Sequence, residues 1–227
     1  MPIYQLPKEP IFPHPCEAVH DGLLAIGGDL SPERLIAAYS TGIFPWFSNN
    51  DPILWWSPNP RMILIPDKFK VSKSLKQTLK KDKFKIRVDF AFEEVIDSCN
   101  KVPRKEQNGT WITDDMKNAY IKMHKLGLAH SFEAWEGNKL VGGLYGISLG
   151  KAFFGESMFH KRTDASKVAF FYLSEFAKKN KFLFIDCQLP TTHLASLGAN
   201  EISRDDFLDL LADAMEHPTY KDKWTLT

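Results

Sequence analysis

The chain has 227 residues, of which 44% are hydrophobic and 25% are charged, and its formal net charge at pH 7 is +1. This length and composition are typical of a folded chain of one or two domains and exclude a wholly disordered protein. The near-neutral charge excludes a protein that coats nucleic acid without specificity, and leaves room only for a local nucleic-acid-binding patch.

Cysteine, histidine and apolar patterns bear on metals and compartment. Cys16, Cys99 and Cys187 form no CxxC pair, and the seven histidines show no HxxxH spacing, so we expect free thiols and no metal site. The amino terminus lacks a basic segment followed by an apolar one, and no apolar stretch reaches the roughly 20 residues of a membrane helix. We therefore expect a cytoplasmic protein without a membrane partner.

The first 61 residues are rich in proline, with ten of the 14 in the chain. This density favours turns and extended segments over a continuous sheet. One helix is predicted within it, because Ser31 suits the N-cap, Pro32 the first helical position and Gly42 the position after the last turn. We interpret residues 1–61 as a small amino-terminal domain and residues 62–227 as a second domain.

The remaining residues alternate between helical and strand patterns. Helices are predicted after Ser72, after Asp89, after Thr113, over about 164–178 and from Ser203. Strands are predicted over 85–88, 130–135, 139–148, 151–159 and 182–188. The order is an antiparallel meander followed by a helix, a strand and a helix. It is similar to GCN5-related acyltransferases, so we predict a mixed α/β (α+β) fold whose second domain has a mostly antiparallel sheet.

The segment from Asp67 to Arg87 is the most unbalanced in charge, with nine basic residues against two acidic ones. Such a patch on a near-neutral protein fits contacts with phosphate groups, and it equally fits a solvated helix face. The candidate phosphate-contacting residues are Lys73, Lys76, Lys80 and Lys83.

Three polar residues in apolar surroundings are candidates for chemistry. Glu156 is a lone carboxylate in the run FFGESMF, where burial is costly unless the charge is paired, so it either faces solvent or lies in a pocket. Asp186 and Gln188 flank Cys187, and on a regular strand they point to the same face. They form either a functional site at a strand end or a buried structural hydrogen-bond pair.

Nucleotide-cofactor motifs are missing from the sequence. There is no GxxxxGK[ST] loop, and residues 160–164, HKRTD, stand where acetyltransferases have a Q/R-x-x-G-x-G/A turn for the coenzyme A pyrophosphate. A coenzyme A-dependent acetyltransferase is therefore disfavoured, and we expect no cofactor.

A series of longer runs lies between residues 21 and 199. They read DGLLAIGGDLSP (21–32), GIFPWF (42–47), PILWWSP (52–58), GTWIT (109–113), LVGGLYG (140–146), FGESMF (154–159), IDCQ (185–188) and HLASLGA (193–199). Each run is weak evidence, but together and in this order they closely resemble the bacterial leucyl/phenylalanyl-tRNA–protein transferases.

The resemblance implies an aminoacyltransferase with two macromolecular substrates. The donor is leucyl-tRNA or phenylalanyl-tRNA, and the acceptor is a protein whose amino-terminal residue is Lys or Arg. The product carries a new amino-terminal Leu or Phe, a signal for degradation by the N-end rule pathway. The aminoacyl ester is already activated, which agrees with the absence of a cofactor, and we expect a monomer.

The resemblance also implies roles for individual residues. Asp186 orients the attacking α-amine and takes its proton, and Gln188 assists at the ester carbonyl. Trp46 and Trp111 lie on the terminal adenosine, and Glu156 lies beside the aminoacyl group.

An apolar pocket for the Leu or Phe side chain is predicted from strand and helix phase, with Leu144, Phe170, Leu173 and Ile185 as its lining. The four lysines named above would contact the tRNA backbone. A non-catalytic tRNA-binding module is the remaining alternative, disfavoured by the polar residues of the predicted site.

Overall fold

The computed structural model describes residues 3–49, 51–102, 112–221 and 224–226. Over these ranges it contains seven α-helices and eleven β-strands, and the strands form one four-stranded and one seven-stranded sheet. Within the same ranges, no helix has both the length and the apolar composition needed to cross a membrane.

The four-stranded sheet lies in the proline-rich region. Its strands are β1 (Tyr4–Gln5), β2 (Leu23–Ile26), β3 (Phe44–Pro45) and β4 (Leu54–Trp56), in the order β1-β2-β4-β3. The predicted helix is present as α1 (Pro32–Ser40), and the Ser31 hydroxyl accepts a hydrogen bond from the Arg34 N–H at 3.3 Å. The predicted extended segments are present as strands of two to four residues that fit between the prolines, and these short strands pair into a sheet that was not predicted.

The seven-stranded sheet has the order β11-β5-β10-β9-β8-β7-β6. Its strands are β5 (Arg61–Leu64), β6 (Lys85–Val88), β7 (Ala129–Glu136), β8 (Lys139–Leu149), β9 (Ala152–His160), β10 (Phe184–Gln188) and β11 (Asn200–Ile202). The β9–β10 pair is parallel and the other five pairs are antiparallel. The predicted mixed fold with a mostly antiparallel sheet is confirmed.

Helices cover both faces of this sheet. They are α2 (Lys73–Lys80), α3 (Phe92–Asn100), α4 (Asp114–Lys125), α5 (Ala165–Lys179), α6 (Thr192–Ser196) and α7 (Arg204–Met215). Leu144 and Tyr145 are neighbours on β8 and point into different core clusters, since successive strand residues face opposite sides. The Leu144 side packs under α5, and the Tyr145 side packs under α3 and α4 together with α1.

Four local features of the large sheet and its helices differ from the sequence predictions. Asp89 does not cap α3, whose N-cap is Ala91. The Asp89 carboxylate instead lies 2.7 Å from the His130 imidazole and accepts from the Ser131 N–H at 2.9 Å. Strands β5 and β11 and helix α6 were not predicted, because four, three and five residues give too short a periodic pattern.

Candidate active site

A cavity of about 390 Å³ lies where β9 and β10 separate. The two parallel strands are paired up to Asp186 and Phe154, and β9 then continues to His160 without β10 beside it. The space between them is bounded by β8, by α5, by the segment after β10 and by residues 44–46 from the small sheet. Side chains from these four parts of the chain therefore line one space, where they could contact the same bound molecule.

Part of the cavity lining is apolar. Leu144 on β8, Phe170 and Leu173 on α5 and Ile185 on β10 all line the cavity and belong to one buried hydrophobic cluster, and these four residues are called the apolar wall below. Phe170 and Leu173 are three positions apart and therefore share a helix face. The structure thus brings these four side chains together, and their role as a Leu or Phe pocket remains a prediction.

Glu156 lies at the polar end of the cavity and is 8% exposed. Its two carboxyl oxygens contact the hydroxyls of Tyr39 at 2.6 Å and Tyr120 at 2.7 Å, and the two hydroxyls lie 2.6 Å from each other. Three such hydrogen bonds need three protons, and the two hydroxyls supply two. The third comes from Glu156 when its carboxyl group is protonated.

Burial favours that protonated form. It raises the pKa of Glu156 from its usual 4.5 to about 7, with a smaller contribution from nearby Asp186, while hydrogen bonds from Tyr39, Tyr120 and Gln188 act in the opposite direction. The carboxyl group can therefore gain or lose a proton near neutral pH, where an amine must also be neutral to act as a nucleophile.

The Gln188 side chain meets Glu156 at this polar end. Its amide N–H donates to Glu156 Oε1 at 3.1 Å. Gln188 has a φ of 61°, and a β-bulge lies between it and Asp186, so the regular alternation behind the same-face prediction is interrupted. Left-handed backbone in a non-glycine residue costs on the order of 1–3 kcal/mol and is common at functional sites.

Asp186 is buried below Gln188 and forms an ion pair with Arg61. Arg61 Nε donates to Oδ1 at 2.9 Å, and Nη2 donates to Oδ2 at 2.6 Å. Asp186 Oδ1 also accepts from the Gln188 backbone N–H at 2.9 Å, and both ionic side chains are almost fully shielded from solvent. Asp186 therefore fixes the backbone that carries the Gln188 amide.

Trp46 lies at the edge of the cavity. Its ring packs edge-on against Trp56 with centroids 5.6 Å apart, and the Trp56 indole N–H donates to the Trp46 carbonyl at 2.7 Å. Trp111, its predicted partner on the terminal adenosine, lies outside the described residues.

The candidate phosphate-contacting lysines lie away from the cavity. Lys73, Lys76 and Lys80 are exposed on α2, which is anchored through buried Leu75. Lys83 follows the helix and lies 3.4 Å from a Glu136 carboxylate oxygen, so part of its charge is balanced.

Two further expectations concern metals and thiols. In the described ranges, no three His, Cys, Asp or Glu side chains are grouped to hold a metal ion. Burial raises the pKa of the Cys187 thiol, which keeps it protonated, and nearby Asp186 adds to the effect.

Sequence reasoning missed three members of the site, Arg61, Tyr39 and Tyr120. Arg61 is the last residue of the predicted first domain, and both tyrosines lie in helices predicted from their caps. One signal was available for the tyrosines: a carboxylate in an apolar strand requires donors, and a tyrosine hydroxyl on a packed helix can supply one.

A mostly antiparallel sheet opened by one parallel pair, with an apolar cavity and a carboxyl–amide end, defines an acyltransferase-like α/β protein. The family model described as leucyl/phenylalanyl-tRNA protein transferase matches residues 63–212, and the model of its N-terminal domain matches residues 28–59. The chain belongs to the leucyl/phenylalanyl-tRNA–protein transferase family and is an aminoacyltransferase.

Curated relatives match along nearly the whole chain. A relative from Desulfatibacillum aliphaticivorans is 54% identical over 226 residues, which cover 100% of this chain and 97% of the relative. One from Maridesulfovibrio salexigens is 56% identical, covering 99% and 94%. One from Legionella pneumophila (strain Corby) is 56% identical, covering 95% and 96%. Each is named leucyl/phenylalanyl-tRNA–protein transferase.

Similar solved structures include two more distant proteins. L-PGS from Bacillus licheniformis has a TM-score of 0.39 and 13% identity, over 74% of this chain and 54% of that one. An aminoglycoside acetyltransferase from an uncultured soil metagenomic sample has a TM-score of 0.38 and 19% identity, over 64% and 98%.

Proposed function

We propose that this chain transfers Leu or Phe from leucyl-tRNA or phenylalanyl-tRNA to the amino terminus of acceptor proteins that begin with Lys or Arg. The product would carry a new amino-terminal Leu or Phe and enter N-end rule degradation. Family membership supports the reaction class, and the apolar cavity next to the Glu156–Gln188 pair is the observation that supports the donor specificity.

The Leu or Phe side chain of the donor would pack against the apolar wall, and the hydrophobic effect would stabilise this contact. Full burial of a Leu or Phe side chain is worth about 1.5–3 kcal/mol, whereas a charged or polar side chain would lose its water contacts there. An apolar pocket rejects a chain that differs by one methylene only modestly, so contacts with the tRNA body would add to selection.

The chemical step needs positioning rather than activation. The acceptor α-amine nitrogen attacks the ester carbonyl carbon, and the bond from that carbon to the ribose oxygen then breaks. The amine loses a proton and the ribose oxygen gains one. The Gln188 amide has two N–H groups, of which one donates to Glu156, so the other can stabilise the developing oxyanion.

Asp186 would contribute to this step by holding the backbone of Gln188. Both of its carboxylate oxygens accept from Arg61, and one also accepts from the Gln188 backbone. Removal of a proton from the amine by Asp186 would require this ion pair to open. The contacts therefore favour a role for Asp186 in positioning Gln188 over direct proton abstraction.

Other parts of the proposal concern organisation. Residues 1–61 would form a small domain that presents Trp46 to the cavity of residues 62–227, with Trp46 and Trp111 stacking on the terminal adenosine. Lys73, Lys76, Lys80 and Lys83 would contact the tRNA backbone, and the protein would act as a cytoplasmic monomer.

One assay tests the function. The protein is incubated with leucyl-tRNA labelled in its leucyl group and a peptide that begins with Arg, in parallel with labelled acetyl-coenzyme A. Isoleucyl-tRNA and a peptide that begins with acetylated Arg are the matched controls. We expect label on the Arg peptide from leucyl-tRNA alone. Transfer from acetyl-coenzyme A alone would identify an acetyltransferase, and binding of tRNA without transfer would identify a binding module.

A further inference from the structure

A second cavity, of about 430 Å³, adjoins the first and shares Met158 and His193 with it. It lies at the end of β9, at the turn that follows and at the first turn of α5. Its polar and charged lining residues are His160, Thr163, Asp164, Ser166, Lys167 and His193. The roles proposed above leave this cavity without an occupant.

Three basic side chains converge on the second cavity. The Lys167 ammonium lies 3.0 Å from Asp164 Oδ1, and the other Asp164 oxygen accepts from the Thr78 hydroxyl at 3.0 Å. An ammonium has three N–H donors, so this ion pair fixes Lys167 and leaves two donors for a ligand. His160 and His193 line the same cavity as Lys167. Burial lowers the pKa of His193, and Lys167 and His160 act in the same direction.

The start of α5 adds to the favourable potential for an anion. Asp164 occupies the N-cap with a φ of 64° and makes no side-chain capping hydrogen bond. The helix runs for 15 residues, and the positive end of its dipole lies at the cavity wall formed by Ser166 and Lys167.

The chemistry of the donor places a phosphate close to the first cavity. In an aminoacyl-tRNA the ester is on the ribose of the last nucleotide, and the first backbone phosphate is attached to the other end of that sugar. With the aminoacyl group in the first cavity, this phosphate must lie within about one sugar of it. The second cavity meets this condition because His193 lines both spaces.

We propose that the second cavity binds the phosphodiester joining the last two nucleotides of the donor, with Lys167 as its main contact and His160 and His193 as further donors. This inference rests on the proposed function. A basic acceptor side chain is the competing occupant, and it would need Asp164, both of whose oxygens are already hydrogen-bonded.

The test compares two dinucleotides that differ only in charge. Leucyl-CpA is prepared with its natural phosphodiester and with an uncharged methylphosphonate linkage, and the KM for each is measured with the Arg peptide as acceptor. A charge-assisted contact should give the natural linkage a KM lower by about tenfold or more. In Lys167→Met the ratio of the KM for the methylphosphonate form to the KM for the natural form should fall towards one. Lys167→Arg should restore the wild-type ratio. Exposed Lys122 on α4 supplies the matched control, and Lys122→Met should keep the wild-type ratio.

A binding measurement separates this inference from the proposed function. CpA without the leucyl group is prepared with each of the two linkages, and the affinity of the protein for each form is measured by calorimetry. If the protein transfers no leucine but binds the natural linkage more tightly, and this preference depends on Lys167, the phosphate site is supported and the proposed function is wrong. Equal affinity for both linkages in the wild type would overturn the phosphate site. So would a Lys167→Met variant that raises only the KM of the Arg peptide, which would assign the cavity to the acceptor.

Discussion

Arg61 holds both carboxylate oxygens of Asp186, at 2.9 and 2.6 Å, across 125 positions of sequence. The Arg61 guanidinium also donates to the Gly42 carbonyl at 3.1 Å. It therefore connects the segment after α1 to Asp186, which lines the cavity. Loss of one partner of a buried ion pair costs about 3–5 kcal/mol, because the other charge stays buried without compensation. Asp186→Ala therefore changes stability and activity together. Asp186→Asn also leaves the Arg61 charge uncompensated, but it keeps the shape of the side chain and one acceptor oxygen, so it is the better test when stability is measured beside activity.

Asp186→Asn should lower kcat by about 10²-fold or more and leave the KM for leucyl-tRNA little changed, because both carboxylate oxygens of Asp186 are held by Arg61 and Asp186 acts through Gln188. If Asp186 positions Gln188, the acid limb of the pH profile remains and moves to lower pH, because the Asp186 charge no longer helps to raise the pKa of Glu156. If Asp186 is the base, the acid limb of the profile disappears. A folded variant with wild-type turnover would remove Asp186 from both roles; unfolding by urea shows which preparations are folded.

The Arg61–Asp186 pair also marks the limit of prediction from sequence. Helices α1 to α5 and α7 and strands β6 to β10 could be predicted because caps, turns and periodicity are local signals; for α3 the periodicity was right and only the cap residue was wrong. The pair forms because β5 joins the large sheet beside β10, and no local pattern carries that information. The predicted domain boundary after residue 61 falls within β5, since Arg61 is its first residue.

The candidate site shows the same division. The four apolar residues could be predicted because the phase of a strand and a helix decides which side chains face inward. The hydrogen bonds to Glu156 come from Tyr39 and Tyr120, which are 117 and 36 positions away. Their convergence depends on how α1 and α4 pack on the same face of the sheet.

The raised pKa of Glu156 predicts a pH-dependent stability. The folded pKa of about 7 lies above the usual 4.5, so the group's stabilising contribution is complete below pH 4.5 and is lost as pH rises through 7. A difference of this size corresponds to roughly 3 kcal/mol. The free energy of unfolding of the wild type minus that of Glu156→Gln should therefore decrease between pH 4.5 and pH 8, as measured by urea unfolding at several pH values.

Half-buried Glu136 provides the control for this measurement. Arg162 and Lys83 lower the pKa of Glu136, so Glu136→Gln should not reproduce a loss of stability between pH 4.5 and pH 8. A wild-type minus Glu156→Gln difference that stays constant over this range would show that Glu156 is ionised in the folded protein throughout.

The apolar wall predicts a shift in donor preference. Leu173→Phe fills part of the cavity, so kcat/KM for phenylalanyl-tRNA should fall more than that for leucyl-tRNA, by about tenfold. Phe170→Leu enlarges the same space and should shift the ratio in the opposite direction. Competition between the two labelled donors measures the ratio within one preparation, which cancels differences in folded fraction. An unchanged ratio in both variants would place the donor side chain elsewhere.

Replacement of Trp46 is expected to weaken binding of the donor. Stacking of a base on an aromatic ring is worth about 1–3 kcal/mol, so Trp46→Ala should raise the KM for leucyl-adenosine by about five- to 150-fold with a small change in kcat. The same result is predicted for Trp111→Ala. Trp56 packs against Trp46 and does not line the cavity. Trp56→Phe is therefore the control for packing, and an effect of Trp46→Ala on unfolding alone would assign Trp46 to the core.

The lysine-rich helix predicts a change in salt dependence. If Lys73, Lys76, Lys80 and Lys83 contact tRNA phosphates, binding releases condensed counterions, and the slope of log affinity against log salt flattens when the lysines are replaced. All four side chains lie at the surface, so replacement by Ala should leave the fold intact. Lys83 is paired with Glu136, so its share of the slope should be the smallest.

The lysine experiment has a matched control at other exposed positions. A second variant replaces Lys8, Lys122, Lys125 and Lys139, so that both variants lose four positive charges. If α2 contacts tRNA, the KM for leucyl-tRNA rises and the salt slope flattens more in the α2 variant than in the control, with kcat nearly unchanged in both. Leucyl-adenosine lacks the tRNA body, so its use should be insensitive to either set. Equal effects of the two sets on the salt slope would mean that only net charge matters and that α2 is a solvated face.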